Sequence, residues 1–243
     1  MSSATDRQWI RWGKQNPYYG ILGMETAEFE SHWEEPFFRS GAEHMDRVFA
    51  CLERVDAQPR KFEKALDFGC GAGRLLRPLE GRFQELVGVD VSEDQLNLAR
   101  RNVTSAGAAF VRSLGDLDDQ KGAFDFVNTF VVLQHIRPRF GLGIIGQLID
   151  LLGPGGAFAL HMTVGDTRPS RRRLNWLRYR IPPLHWAYNI RTGRPWNEPV
   201  TEMNRYDMAA VSKILLDRGI SRFSIELFDH NGHMGMLLLG RKD

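Results

Sequence analysis

Cys51 and Cys70 are the only two cysteines in 243 residues. That is too few for the disulfide framework of a small secreted scaffold. No stretch approaches the roughly 18 uninterrupted apolar residues of a membrane-spanning helix, so no span is expected. The N-terminus carries Asp6, Arg7 and Arg11 without a continuous apolar run, so a secretory leader is not expected either. The net charge is only +2, too small by itself to call for a nucleic-acid partner. No C-x-x-C or H-E-x-x-H occurs, which removes the commonest zinc patterns, and no metal is expected. Internal repeats and low-complexity tracts are also missing. These absences leave a globular chain the size of one α/β domain with an insertion, or of one and a half domains. A thiol at Cys70, inside a glycine turn, suits a reducing, cytoplasmic compartment better than a disulfide would.

What the chain does have is concentrated at residues 65–73, Ala-Leu-Asp-Phe-Gly-Cys-Gly-Ala-Gly. An apolar run ends at Asp67, and glycines follow at 69, 71 and 73. Glycine lets the backbone take positive φ and lets a ligand approach without meeting a Cβ. A helix start behind such a turn offers free N–H groups. Dinucleotide folds use G-x-G-x-x-G there. Here the third glycine comes one residue early and Arg74 takes the next place. Asp67, just before the turn, would repel a pyrophosphate but welcome an amino group.

This stretch resembles motif I of the class I S-adenosylmethionine-dependent methyltransferases, E/D-x-G-x-G-x-G, which Asp67, Gly69, Gly71 and Gly73 match in full. The resemblance runs over roughly 40–163 and, more loosely, 205–240. It implies S-adenosyl-L-methionine as cofactor and an α/β fold, a doubly wound, mostly parallel seven-stranded sheet with an antiparallel last strand.

The rest of the chain is read in that light. Residues 1–60 form an N-terminal helical cover rich in aromatics, including Trp9, Trp12, Tyr18 and Phe37. Its second helix is expected from Ser40, with Ser40 and Glu43 as a capping box. Residues 61–164 form the cofactor-binding core. Strands are expected at 64–68, 85–90, 109–113, 124–130 and 157–163. Helices are expected at about 73–80, from Ser92 and at 143–152. Residues 165–204 break this rhythm and carry eight arginines against three acidic residues, a net +5, interleaved with five aromatics. They read as a lid insertion in which Pro182-Pro183 breaks any long helix. Residues 205–243 close the core with a helix and a β-hairpin.

Asp90 closes the second strand 21 residues after Gly69, the distance at which an acid bonds a ribose diol. Val91 follows it as a small apolar wall for an adenine. By the resemblance, Asp116 accepts from the adenine amino group and Leu117 flanks the ring. Thr129, at the end of the fourth strand, and Arg74 complete the expected cofactor set. His135 is the expected proton acceptor, because imidazole exchanges its proton near neutral pH. His161, at the end of the fifth strand, is the second catalytic candidate, ahead of His230, Asn231 and His233.

The reading is methyl transfer to an oxygen, rather than a nitrogen, of a small-molecule acceptor, by a monomer or homodimer. An anionic acceptor or a natural-product or sugar intermediate fits the arginines. Besides a non-catalytic cofactor-binding scaffold, two alternatives stay open. One is an RNA-modifying or nucleic-acid-binding protein, on the arginine and aromatic interleaving. The other is a nicotinamide-dependent oxidoreductase, against which stand the glycine spacing and the lack of a Tyr-x-x-x-Lys pair.

Overall fold

The computed structural model describes residues 4–15, 17–18, 34–55, 62–167, 181–193, 196, 202–230 and 232–243. Seven strands form one sheet in the order β3-β2-β1-β4-β5-β7-β6. The strands are β1 (Lys64–Phe68), β2 (Glu85–Val89), β3 (Ala108–Val111), β4 (Phe124–Thr129), β5 (Leu152–Asp166), β6 (Phe223–His230) and β7 (His233–Arg241). β1 to β5 pair in parallel, and β7 runs antiparallel to both β5 and β6. This is the doubly wound, mostly parallel sheet expected from the alternation of strands and helices. The order reverses at β1 and β4, and the crevice beyond their C-terminal ends is where such sheets bind ligands.

Both faces of the sheet are covered, so its central strands are apolar throughout rather than alternating. One face buries Leu66, Val127, Phe158 and Leu238. It packs under α4 (Pro138–Leu151) and α6 (Met208–Leu216), which bury Ile145, Leu148, Val211 and Leu215. The other face buries Leu86, Phe126 and Leu239 with Met45, Val48 and Leu52 of α2 (Glu34–Val55). Asp207 caps α6 by accepting from the Ala209 N–H at 3.1 Å.

Several local expectations change. α2 starts six residues before Ser40, so the capping box there does not exist. The Ser40 hydroxyl instead donates back to the Phe37 carbonyl at 2.7 Å, the mid-helix use of a serine. The helix expected at 73–80 is a set of turns ending in a 3-10 turn, Arg77–Leu79. Pro78 has no N–H to continue a helical ladder. Asp116, after β3, lies in a 3-10 helix, Leu114–Gln120. Pro182 and Pro183 open a helix, α5 (Pro182–Arg191), because proline tolerates the first turn; residues 168–180 before it lie outside the described residues. Finally, β5 runs on to Asp166, six residues past Leu160, the partner of the last residue of β4. Paired with β7, it stands about 20 Å above the rim of the parallel strands.

Arg168, Arg171, Arg172, Arg173, Trp176, Arg178, Tyr179, Arg180, Arg194 and Asn231 lie outside the described residues. α5 is inverted relative to a surface helix. It buries His185 and Asn189, while Leu184, Trp186 and Ile190 are 45%, 43% and 67% exposed. No described helix is long and apolar enough to cross a membrane.

Candidate active site

The glycine corner forms as its spacing requires. Gly69, Gly71 and Gly73 have φ of 75°, 51° and 86°, values that side chains other than glycine rarely adopt. The Gly69 and Cys70 N–H groups both donate to the Val89 carbonyl, at 2.7 and 3.1 Å. The loop after β1 is thereby pinned to the end of β2.

Asp90 completes this junction. Its Oδ2 accepts from the Gly71 N–H at 3.0 Å and its Oδ1 from the Ser92 N–H at 2.9 Å. Each oxygen keeps a lone pair for a further donor. Burial raises the Asp90 carboxyl to about 6, against the lowering by those two hydrogen bonds. Ser92 caps the next helix, α3 (Glu93–Asn102), by accepting from the Gln95 N–H at 3.4 Å. Asp90 is therefore not needed as the cap.

Asp67 is 2% exposed and accepts from Asn128 Nδ2 at 2.7 Å. Burial pushes its carboxyl up to about 7, although Asn128 and the Arg74 charge pull it down. The Arg74 guanidinium lies 5.9 Å from the ring centres of both Phe37 and Phe130, with the Ser40 hydroxyl at 3.4 Å. A buried carboxyl beside a half-buried guanidinium offers opposite charges to a zwitterion. The Thr129 Oγ1 is buried and has no hydrogen-bond partner among the described residues. Val91 is half-buried and its carbonyl accepts from Arg112 at 3.1 Å. Asp116 is exposed and its Oδ2 accepts from the Ser113 N–H at 3.0 Å. It thus serves as half of a capping box, and Leu117 behind it is buried.

His135 ends a 3-10 turn, Leu133–His135, that follows β4. Segment 202–206 clamps this turn. The Asn204 N–H donates to the Gln134 carbonyl at 2.6 Å. The Tyr206 hydroxyl reaches the Leu133 and Ile136 carbonyls at 3.0 and 2.9 Å. Arg137 pairs with Glu202 at 2.9 Å. His135 Nδ1 lies 2.8 Å from the Glu202 carbonyl. A carbonyl only accepts, so Nδ1 carries the proton and Nε2 carries the lone pair. Trp9 of α1 (Ala4–Gln15) packs on the imidazole with 5.0 Å between ring centres.

The other end of the same cover lies over the cofactor corner. Gly13 sits so close to Ser92 that a Cβ there would overlap the serine hydroxyl. Gln95 Nε2 donates to the Pro17 carbonyl at 2.8 Å. Tyr18 packs with Phe37, Phe38 and Ala72 of the glycine turn. The aromatic N-terminal segment thus touches both the glycine corner and His135.

His161 is in a different setting. It is fully buried, and its Nδ1 accepts from the Val131 N–H at 3.0 Å. His233 Nδ1 is 3.0 Å from Asp166, which Arg205 also grips. Two residues escaped sequence reasoning. Tyr206 and His44 make their contacts over sequence separations that no local pattern reveals. His44 lies in α2 with its ring centre 3.9 Å from that of Phe130. Burial first, then Arg74 and Arg47, hold it near 4, so it stays neutral.

Residues 42–198 match the family profile described as a methyltransferase domain. The chain belongs to the class I S-adenosylmethionine-dependent methyltransferases. A relative in Synechocystis, an uncharacterized methyltransferase, is 38% identical over 174 residues, 71% of each chain. A ubiquinone biosynthesis O-methyltransferase of Thiobacillus denitrificans is 30% identical over 110 residues, 43% of this chain. That match spans about half, 47%, of the relative. Among solved structures, the magnesium protoporphyrin IX methyltransferase of Synechocystis with bound S-adenosylmethionine superposes with a TM-score of 0.60. It covers 100% of this chain and 99% of its own at 18% identity, and at that identity the likeness is one of fold.

Proposed function

We propose that this methyltransferase binds S-adenosyl-L-methionine in the glycine corner and methylates an oxygen of a small-molecule acceptor, with His135 taking the proton. The observation that carries the cofactor half is Asp90, held at the C-terminal end of β2 by the Gly71 and Ser92 N–H groups with a lone pair left on each oxygen. Those lone pairs suit a ribose diol. Asp67 and Arg74 suit the amino and carboxylate groups of the methionine part, and Thr129 lies beside them at the end of β4. Val91 and Leu117 supply apolar contact for the adenine, with the Asp116 Oδ1 as acceptor for its amino group. The cofactor supplies a methyl group already activated on a sulfonium. The protein's tasks are then to align the acceptor, exclude water and remove a proton.

His135 fits the last task. Its Nδ1 proton is fixed on the Glu202 carbonyl, which leaves Nε2 as the basic nitrogen. His161 fits it less well, because its Nδ1 lone pair already serves the Val131 N–H. Oxygen as the methylated atom draws support from the ubiquinone biosynthesis O-methyltransferases among the relatives. The exposed apolar side chains of α5, Leu184, Trp186 and Ile190, suit an acceptor with a sizeable apolar part, and the arginines of 165–204 suit an anionic group on it.

Purified enzyme, labelled S-adenosylmethionine and a panel of phenolic acids, sugars and amines, followed by mass spectrometry, tests this reading. A methyl ether product is expected. Labelled N-methyl product alone would overturn the oxygen assignment.

A further inference from the structure

Val131 is the one non-glycine residue with positive φ, 63°, among the described residues. It is β-branched, the side-chain class least suited to that region. Such strain persists only where the surroundings impose it, and it concentrates at functional sites. The residue that imposes it is His161. Its Nδ1 accepts the Val131 N–H at 3.0 Å, across 30 residues of sequence. The imidazole itself sits between two rings, tilted against Phe130 with ring centres 4.8 Å apart and stacked on Phe228 at 5.1 Å. Gly235 of β7 gives it room, since a Cβ there would stand 3.0 Å from His161 Nε2 and 2.8 Å from Phe228.

The consequence is felt at the cofactor corner. With Val131 in this conformation, the Val132 side chain lies against the bare α-carbon of Gly69, where any Cβ would overlap it. On the other side of Val131, Phe130 packs on His44 at 3.9 Å and under Arg74 at 5.9 Å between centres. The loop leaving β4 is thus seated simultaneously on the first glycine of the turn and on the guanidinium beside Asp67.

We infer that His161 is a positioning residue: through its Nδ1 bond to Val131 it holds the 130–132 loop in the strained form that completes the methionine side of the cofactor site. It does not take the acceptor's proton. The inference rests on the reading that the glycine corner holds S-adenosylmethionine.

The test compares four variants by titration with S-adenosylhomocysteine, by kcat and by pH–rate profile. An asparagine Oδ1 occupies nearly the place of histidine Nδ1, whereas a glutamine carbonyl extends beyond it. His161→Asn should therefore keep affinity and kcat within about threefold, with the acid limb of the profile unchanged, although asparagine cannot act as a base. His161→Gln and His161→Phe should each lose affinity by about tenfold or more, the scale of one released backbone strain. Adding Val131→Gly to His161→Phe should recover most of that loss, because glycine adopts φ of 63° without cost. If His161→Asn loses kcat and the acid limb while keeping affinity, His161 is a base and the inference is wrong. It is also wrong if His161→Gln binds as tightly as wild type, or if Val131→Gly gives no recovery. His161→Gln preserves size and polarity, so it decides the matter even where His161→Phe fails to fold. Wild-type protein that does not bind S-adenosylhomocysteine would instead overturn the cofactor reading, before any variant is compared.

Discussion

The two halves of the C-terminal rim are built differently. On the β1–β2–β3 side, the pairs around Asp90 and Asp116 are local: Asp90 with Gly71 and Ser92, Ser92 with Gln95, Asp116 with Ser113, whereas Asp67 reaches across to Asn128. The sequence separations of the local pairs are 2 to 19 residues. On the β4–β5 side, the clamps come from far away: Glu202 to His135, Tyr206 to Leu133, His161 to Val131. Buried polar atoms without a hydrogen-bond partner among the described residues also occur there: Thr129 Oγ1, Thr163 Oγ1 and both amide atoms of Gln134. The first half is a preformed cradle, and the second is a set of polar groups whose arrangement depends on distant chain segments. On the proposed reading, a common cofactor with a variable acceptor calls for that division, because a cofactor cradle would serve every reaction and the other half would be tuned to one.

The largest expected effect lies on the tuned side. His135→Ala should lower kcat by about 10²–10⁴, the range for loss of a general base, with S-adenosylhomocysteine affinity within a few-fold. Its pH–rate profile should lose the acidic limb. Retention of both rate and limb would leave the β4–β5 half without an assigned proton acceptor.

On the cradle side, Gly71→Val should weaken S-adenosylhomocysteine binding by at least about tenfold, since a β-branched residue resists φ of 51°. Turnover unchanged at saturating cofactor and unchanged titration would break the equation of cradle with cofactor. Asp90→Ala should cost about tenfold to hundredfold in affinity, as expected for loss of charge-assisted hydrogen bonds, while kcat at saturation falls little. Calorimetry and circular dichroism on the same samples separate binding from folding.

Asp67 sharpens the comparison through pH. Its folded carboxyl is raised to about 7, above the roughly 3.9 of an unfolded aspartate. The stability that its protonated form contributes is complete below about 4 and is lost as pH rises through about 7. Asp67→Asn should therefore raise the melting temperature of the cofactor-free protein by several degrees at pH 8 and by little at pH 4. Wild-type affinity for S-adenosylhomocysteine should rise several-fold between pH 5.5 and 8, as Asp67 and Asp90 ionise, and the Asn variant should flatten part of that rise. A melting temperature that falls in Asp67→Asn at pH 8 would mean that the buried carboxylate stabilises the fold.

The same division decides what the sequence reveals. The sheet is legible because covered parallel strands are short apolar runs spaced by helices. The cradle is legible because Asp67 and the three glycines form one contiguous motif, and because Asp90 and Ser92 bond groups within 19 residues of themselves. Ser40 misleads for a local reason: it looks like a cap but bonds backwards. On the other half, nothing near His135 announces the Glu202 carbonyl that sets its tautomer. Nothing near His161 announces that Val131, rather than an acceptor, uses its nitrogen.

The most direct test of the central claim is a parallel titration of the wild-type protein with S-adenosylhomocysteine and with NAD. A glycine turn with the buried Asp67 before it, Arg74 behind it and Asp90 across from it should bind S-adenosylhomocysteine and leave NAD unbound. Binding of NAD alone would contradict the account.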